Sequence, residues 1–210
     1  MRSLPRQRVL EVAERLFFSY GIHSVTMDDI SRELHVSKKT LYRFFTDKSE
    51  LVDVLVEKHI KRLRHAIKQV EAAATDPVSY FLMSMQLMAQ ELQRFHAPFV
   101  YDLQKYYPRS WKRFQRFIRT ELTEVVERNL GCGMTTGHYR SDLKSAILSR
   151  FRIEQIFLAA NPEFFPPEQF SIETVQLELA RHFLHGILTE KGRQQLRNYE
   201  RNQLKNKEKI

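Results

Sequence analysis

Between Ser37 and Arg43 the chain sets Ser37, Lys38, Lys39, Thr40, Tyr42 and Arg43 around a single leucine, Leu41. Cationic side chains of this kind neutralise phosphates, and hydroxyl, ammonium and guanidinium donors meet the edges of bases. Leu41, Phe44 and Phe45 recur at helical spacing, so the same segment has an inward apolar face and an outward basic one. Thr26 and Lys48 flank the segment. Thr26, Ser37 and Lys48 all fall at helix starts, where free backbone N–H groups attract anions. Each residue taken singly has a plainer reading as a cap or a solvated base.

The elements that would position these groups are legible around them. Thr26 followed by Asp28 and Asp29 is a helix N-terminus, a capping hydroxyl followed by acids near the positive end of the helix dipole. Met27, Ile30 and Leu34 give that helix one apolar face. His35 and Val36 break the pattern, and Ser37 opens the next helix. Thr46 and Asp47 interrupt again before a long helix from Lys48. Two short helices joined by a tight turn make a helix-turn-helix, in which the second helix must stand clear and fit the major groove of DNA. Residues 6–20 predict a third helix, with Val9, Val12, Ala13, Leu16, Phe17 and Tyr20 in one stripe and Gly21 as its stop.

Thr26, Asp29-Ile30, Val36-Ser37, Thr40-Leu41-Tyr42, Phe44-Phe45, Lys48 and Leu51 together resemble the tetracycline-repressor (TetR) family of bacterial transcription regulators. They match its T-x-x-D-I-A, G-V-S-x-G-T-L-Y-x-x-F and K-x-x-L runs in order and spacing, over about the first 55 residues; the remainder resembles the family in layout only. The resemblance implies that Ser37, Lys38, Lys39, Thr40 and Arg43 approach bases or nearby phosphates, and that Thr26, Tyr42 and Lys48 contact the DNA backbone. It implies an effector pocket in the helical body and a four-helix dimer interface. Ser31, His35 and Lys39 depart from the usual Ala, Gly and Gly. His35 falls where the turn calls for a positive φ, which His tolerates better than most non-glycine residues. Lys39 adds charge at the start of the reading helix and should alter which sequence is read.

The 210 residues carry a formal charge of +9, which favours an anionic partner. The excess is unevenly spread. Residues 1–50 hold nine Lys/Arg against seven Asp/Glu, whereas Lys105–Arg119 holds six bases and no acid. Six glycines and short β-branched runs favour helices over sheets. No apolar run is long enough to span a membrane. The start of the chain does not read as a signal peptide, and the single cysteine, Cys132, fits a reducing, cytoplasmic setting. Helices are expected over 48–74, 77–95, 109–130, 141–160 and 171–188. A further helical piece lies before Pro108, a glycine-marked loop spans 131–137, and the end from Lys191 is a polar helix or frayed tail. The expected fold is all-α: a three-helix helix-turn-helix head over residues 1–47 and a helical-bundle ligand-binding and dimerisation body over 48–210.

The body holds three further constellations. Phe151, Ile156, Leu179, Phe183 and Ile187 belong to two helices that are apolar on more than one side, suiting either a dimer interface or a deep intramolecular core. Phe95, Phe99, Tyr101, Tyr106, Tyr107, Trp111, Phe114 and Phe117 form an aromatic cluster. Of these, Phe99, Tyr106, Tyr107, Trp111 and Phe114 are the candidate lining of an effector pocket, with ordinary core packing as the alternative. His182 and His185 stand one helical turn apart but lack a third ligand at useful spacing. No phosphate-binding glycine loop, nucleophile elbow or metal signature occurs in the sequence, so no cofactor, metal or catalytic residue is expected. The expected partners are double-stranded DNA, a second copy of the chain and an unknown small-molecule effector. A ligand-independent DNA organiser and a helical enzyme are the rival classes.

Overall fold

The computed structural model describes residues 6–94, 97–159 and 161–207. The described residues are helical, in the order α1 (Arg6–Tyr20), α2 (Met27–Glu33), α3 (Lys38–Tyr42), α4 (Lys48–Ala73), α5 (Pro77–Arg94), α6 (Ala97–Tyr106), α7 (Pro108–Phe117), α8 (Thr123–Thr135), α9 (Ser145–Ala159), α10 (Ile172–Ile187) and α11 (Glu190–Lys207). A π-helical turn, Ile118–Leu122, joins α7 to α8. Among the described residues the sole β pairing is an isolated bridge between Tyr139 and Leu188. The all-helical expectation therefore holds, with the helix-turn-helix head at the N-terminus and a helical body after it.

The chain divides into two compact units: residues 1–64 with 93–116, and residues 65–92 with 117–210. The boundary expected from the sequence, at 47/48, marks the start of α4. The compact units instead divide that helix at 64/65 and bring α6 and most of α7 in with the head.

In the first unit, α1 buries Val9, Leu10, Val12, Ala13, Leu16 and Phe17; five of the six stripe residues predicted from periodicity are among them, while Tyr20, at the helix end, is 67% exposed. Gly21 adopts φ 82° and its N–H bonds the Phe17 carbonyl, closing the helix in the left-handed conformation that glycine enters without penalty. The α1 face packs on α2, and α2 on α3, around fully buried Ile30 and Leu41. Helix α4 starts at an Asp47 cap: the Glu50 N–H donates to Asp47 Oδ1 (2.8 Å), and Glu50 reaches back to the Thr46 N–H (2.7 Å).

In the second unit, Val78, Phe81 and Leu82 of α5 meet Leu130, Tyr139, Ala180, Phe183, Leu184, Ile187 and Leu196 in one core. Asp76 caps α5, accepting from the N–H groups of Val78 and Ser79 at 2.9 and 3.0 Å. Its remaining oxygen accepts from Gln195 of α11 (2.9 Å), so the C-terminal segment docks as a helix and is not a frayed tail.

Two sequence expectations are corrected here. Gly131 and Gly133 do not mark a loop; α8 runs through both to Thr135. A glycine stands at 133 within the helix because the Tyr139 ring lies against it: a Cβ there would sit 1.9 Å from Tyr139 Cδ2. The loop falls later, ending in the left-handed Gly137 (φ 74°). The helix expected from residue 141 begins at Ser145: Tyr139 and Arg140 are tied to the end of α10 by the Tyr139–Leu188 bridge and the Arg140 N–H to Ile187 carbonyl bond (2.9 Å), and a turn at 141–142 follows before α9. The stretch expected as one helix over 109–130 is interrupted by the π turn. Phe117 and Ile118 at its start and Leu122 and Thr123 at its end are all buried.

Candidate nucleic-acid interface

The support helix α2 is fixed by a full capping box. Thr26 Oγ1 accepts from the Asp29 N–H (3.1 Å), while the Asp29 carboxylate accepts from the Thr26 N–H (2.9 Å) and hydroxyl (2.6 Å). These bonds from Thr26 hold the Asp29 carboxyl below its ordinary range. Thr26 is thus exposed, as a backbone contact requires, but its one hydroxyl proton is engaged by Asp29. The α2–α3 turn pivots on His35 at φ 53°, its N–H bonded to the Arg32 carbonyl (3.0 Å). The positive φ expected at this position is present.

Ser37 caps α3. Its Oγ accepts from the Thr40 N–H (3.2 Å) and lies 2.9 Å from the Thr40 hydroxyl. Leu41 is buried, while Ser37, Lys38, Lys39, Tyr42 and Arg43 are exposed and Thr40 is half-buried. Lys38 is drawn into an ion pair with Asp28 of the support helix. Lys39 and Arg43 carry no such tether among the described residues and are free to reach a partner. The sequence reading grouped these three cations together; the fold separates one tied base from two available ones.

Lys48 is less available than its position suggests. Its Nζ donates to the His23 carbonyl (3.2 Å) and stands 5.9 Å from the Phe17 ring centroid. Burial pulls its pKa below the usual lysine range, against the opposing pull of Asp102 and Asp29. The same loop is held from α6: the His23 N–H donates to the buried Asp102 carboxylate (2.7 Å), and the His23 ring stacks on Tyr106 with centroids 4.2 Å apart. Sequence reasoning missed His23 and Asp102 as structural residues. They lie 79 positions apart, and no local pattern joins them.

Three of the five candidate pocket residues meet. Phe99, Trp111 and Phe114 line a cavity of about 20 Å³ with Glu14, Phe18, Leu55, Val56, His59 and Leu103. Tyr106 lies instead on the surface against His23, and Tyr107 is half-buried; neither lines this cavity. Phe95 lies outside the described residues.

The candidate dimer residues also divide. Ile156, Phe183 and Ile187 are buried within their own unit, Phe183 and Ile187 in the main core, so they present little surface to another molecule. Leu179 is half-buried. Phe151 is 55% exposed and shares one face of α9 with Ile147 at 66% and Leu158 at 37%. The inner face of α9 carries a buried arginine, Arg152, whose guanidinium nitrogens donate to the Gln176 amide oxygen at 2.8 and 3.2 Å. Burial lowers its pKa to about 10. His182 and His185 are exposed on α10, and no group of three metal-binding side chains occurs among the described residues. No helix among the described residues is long and apolar enough to cross a membrane.

A capped support helix, a turn with positive φ and an exposed, base-bearing second helix define a helix-turn-helix protein. Residues 9–55 match the family described as bacterial regulatory proteins, tetR family. An HTH-type transcriptional regulator of Staphylococcus aureus strain bovine RF122 / ET3-1 is 35% identical over 66 residues, which is 31% of this chain and 36% of that protein. The alignment with this relative therefore covers about a third of its length. The fold extends further. A transcriptional regulator from Saccharomonospora viridis, solved in complex with choline, aligns over 88% of this chain and 98% of its own at TM-score 0.74 and 17% identity. A TetR-family regulator from Agrobacterium tumefaciens aligns over 88% and 97% at TM-score 0.72 and 16% identity. The head of this protein belongs to the tetR family of bacterial regulatory proteins, and its helical fold is shared with solved regulators of that family.

Proposed function

We propose that the protein is a homodimeric, ligand-responsive DNA-binding regulator of transcription, acting as a repressor that leaves a palindromic operator when a small-molecule inducer binds. The observation that carries this reading is α3. It is held by the Ser37 cap and buried Leu41, and it presents Lys39, Tyr42 and Arg43 outward without competing carboxylates on its own face. Arg and Lys donors suit guanine O6 and N7 in the major groove. Thr26, Ser37, Tyr42 and Lys48 are the proposed backbone contacts, with Lys38 and Thr40 beside them.

Dimerisation is assigned to the exposed α9 stripe of Ile147, Phe151 and Leu158, with Leu179 a lesser contributor. Two heads on one dimer would span half-sites about one DNA turn apart. The inducer is assigned to the aromatic cavity at Phe99, Trp111 and Phe114. At about 20 Å³ it holds little more than a water molecule, so an inducer must select a conformation in which α6 and α7 have moved. Helix α4, continuous from Lys48 to Ala73, is the proposed lever. The small volume also favours a second reading, a ligand-independent DNA-binding organiser.

Selection of binding sites from a random duplex library, with the purified protein as bait, tests the proposal. Enrichment of an inverted repeat is expected. A single unrepeated half-site would contradict the dimer, and no enrichment would contradict the regulator.

A further inference from the structure

The cationic excess of the first unit lies on α7 and not in the head. Residues 1–50 are nearly balanced, while residues 105–116, the end of this unit, hold five bases and no acid. Lys105, Arg109, Lys112 and Arg116 are exposed, and Arg113 is half-buried. Arg113 pairs with Glu57 at 4.0 Å, and Lys105 donates to the Tyr101 hydroxyl at 2.9 Å. Arg109 and Lys112 have no carboxylate partner among the described residues. With Pro108, Arg113 and Arg116 they line an open trough of about 500 Å³.

The position of this trough follows from contacts within the unit. Ser110 donates to Asp53, and Arg113 reaches Glu57, so α7 runs parallel to the first half of α4. The start of α7, with Arg109, therefore lies toward the Lys48 end of α4. The preceding elbow confirms the register. Tyr106 stacks on His23, three residues before the Thr26 cap, and Tyr107 lies within the electrostatic reach of Asp47, one residue before Lys48. The cationic end of α7 thus adjoins the edge of the head that carries Thr26 and Lys48.

We propose that Arg109 and Lys112, with Lys105 beside them, form a second surface for the sugar–phosphate backbone of duplex DNA, continuous with the edge of the helix-turn-helix and outside the bases that α3 reads. This rests on the DNA-binding reading of the head. It gives the protein the backbone charge that its nearly neutral head lacks. Arg109 and Lys112 neutralise phosphates and release the counterions condensed on them, which adds affinity without adding sequence preference.

The test uses a mixed-sequence duplex of roughly 40 base pairs and fluorescence anisotropy across a salt series, where each phosphate contact contributes a slope of about 0.9 in log K against log salt. Arg109→Ala with Lys112→Ala is expected to flatten the slope by about two for each protomer bound. Arg193→Ala with Arg201→Ala, an equal charge loss on exposed positions of α11, is expected to leave it nearly unchanged. Equal flattening by both pairs would overturn the site, because only net charge would then matter. An unchanged slope in the α7 pair, alongside weakened binding of the selected inverted repeat by Lys39→Ala with Arg43→Ala, would overturn this inference and leave the head reading standing. No salt-dependent binding by the native protein would remove both. Thermal melts of each variant confirm that the fold is intact.

Discussion

At the scale of single residues, the charged groups differ in what the fold has already spent. Lys38 is paired with Asp28, Lys48 is half-buried on the His23 carbonyl, and Thr26 gives its hydroxyl proton to Asp29. Lys39 and Arg43 remain exposed, so discrimination among bases should reside there more than in their equally basic neighbours. Arg152 shows the opposite use of a cation. It is buried on α9 with Gln176 as its acceptor, and a buried guanidinium that loses its acceptor bears the desolvation cost alone. Gln176→Leu is therefore expected to destabilise the fold by about 3 kcal/mol in urea unfolding, and adding Arg152→Met should recover most of that loss. A neutral Gln176→Leu would show that the pair does not hold the α9–α10 contact.

At the scale of elements, helix ends and apolar faces were legible because their causes are local. Thr26 and Ser37 announced helix starts, and each accepts the expected N–H bond. The buried face of α1, Tyr20 apart, followed from spacing alone. The glycines near residue 131 misled for a physical reason. Glycine signals a loop from backbone freedom, whereas Gly133 is required by a ring that arrives from later in the chain. Tyr139 is buried, and its hydroxyl bonds the Pro77 carbonyl at 2.7 Å, so the ring cannot swing aside. Gly133→Ala should cost about 2 kcal/mol by overpacking, even though alanine is the better helix former. Gly131→Ala in the same helix meets nothing within 4 Å and should instead gain up to about 1 kcal/mol. Thermal melts that rank the two variants the other way would contradict the packing assignment.

At the scale of the whole molecule, the head was readable and the body much less so. Head residues act through neighbours within a few positions, as in the Thr26–Asp29 and Ser37–Thr40 pairs. The later helices are tied by long-range bonds, Asp102 of α6 to His23 of the head and Asp76 to Gln195 within the second unit, and these have no local signature. The same difference explains the mixed fate of the apolar body residues. Composition marked Phe151, Phe183 and Ile187 alike, but only packing shows that Phe151 faces outward while the other two fill the core. The elbow between α6 and α7 joins the two scales, since it sets the basic run of α7 beside the edge of the head that carries Thr26 and Lys48.

The central claim is that α3 reads DNA sequence through Lys39 and Arg43. It is tested most directly by the ratio of affinities for the selected duplex and for a scrambled duplex of equal length and composition, measured at one salt concentration. The Lys39→Ala, Arg43→Ala protein should keep its native melting temperature and much of its affinity for scrambled DNA. Its preference for the selected sequence should fall by at least tenfold, since a bidentate base contact is worth about 1–3 kcal/mol of discrimination. An unchanged preference in that variant would contradict the account.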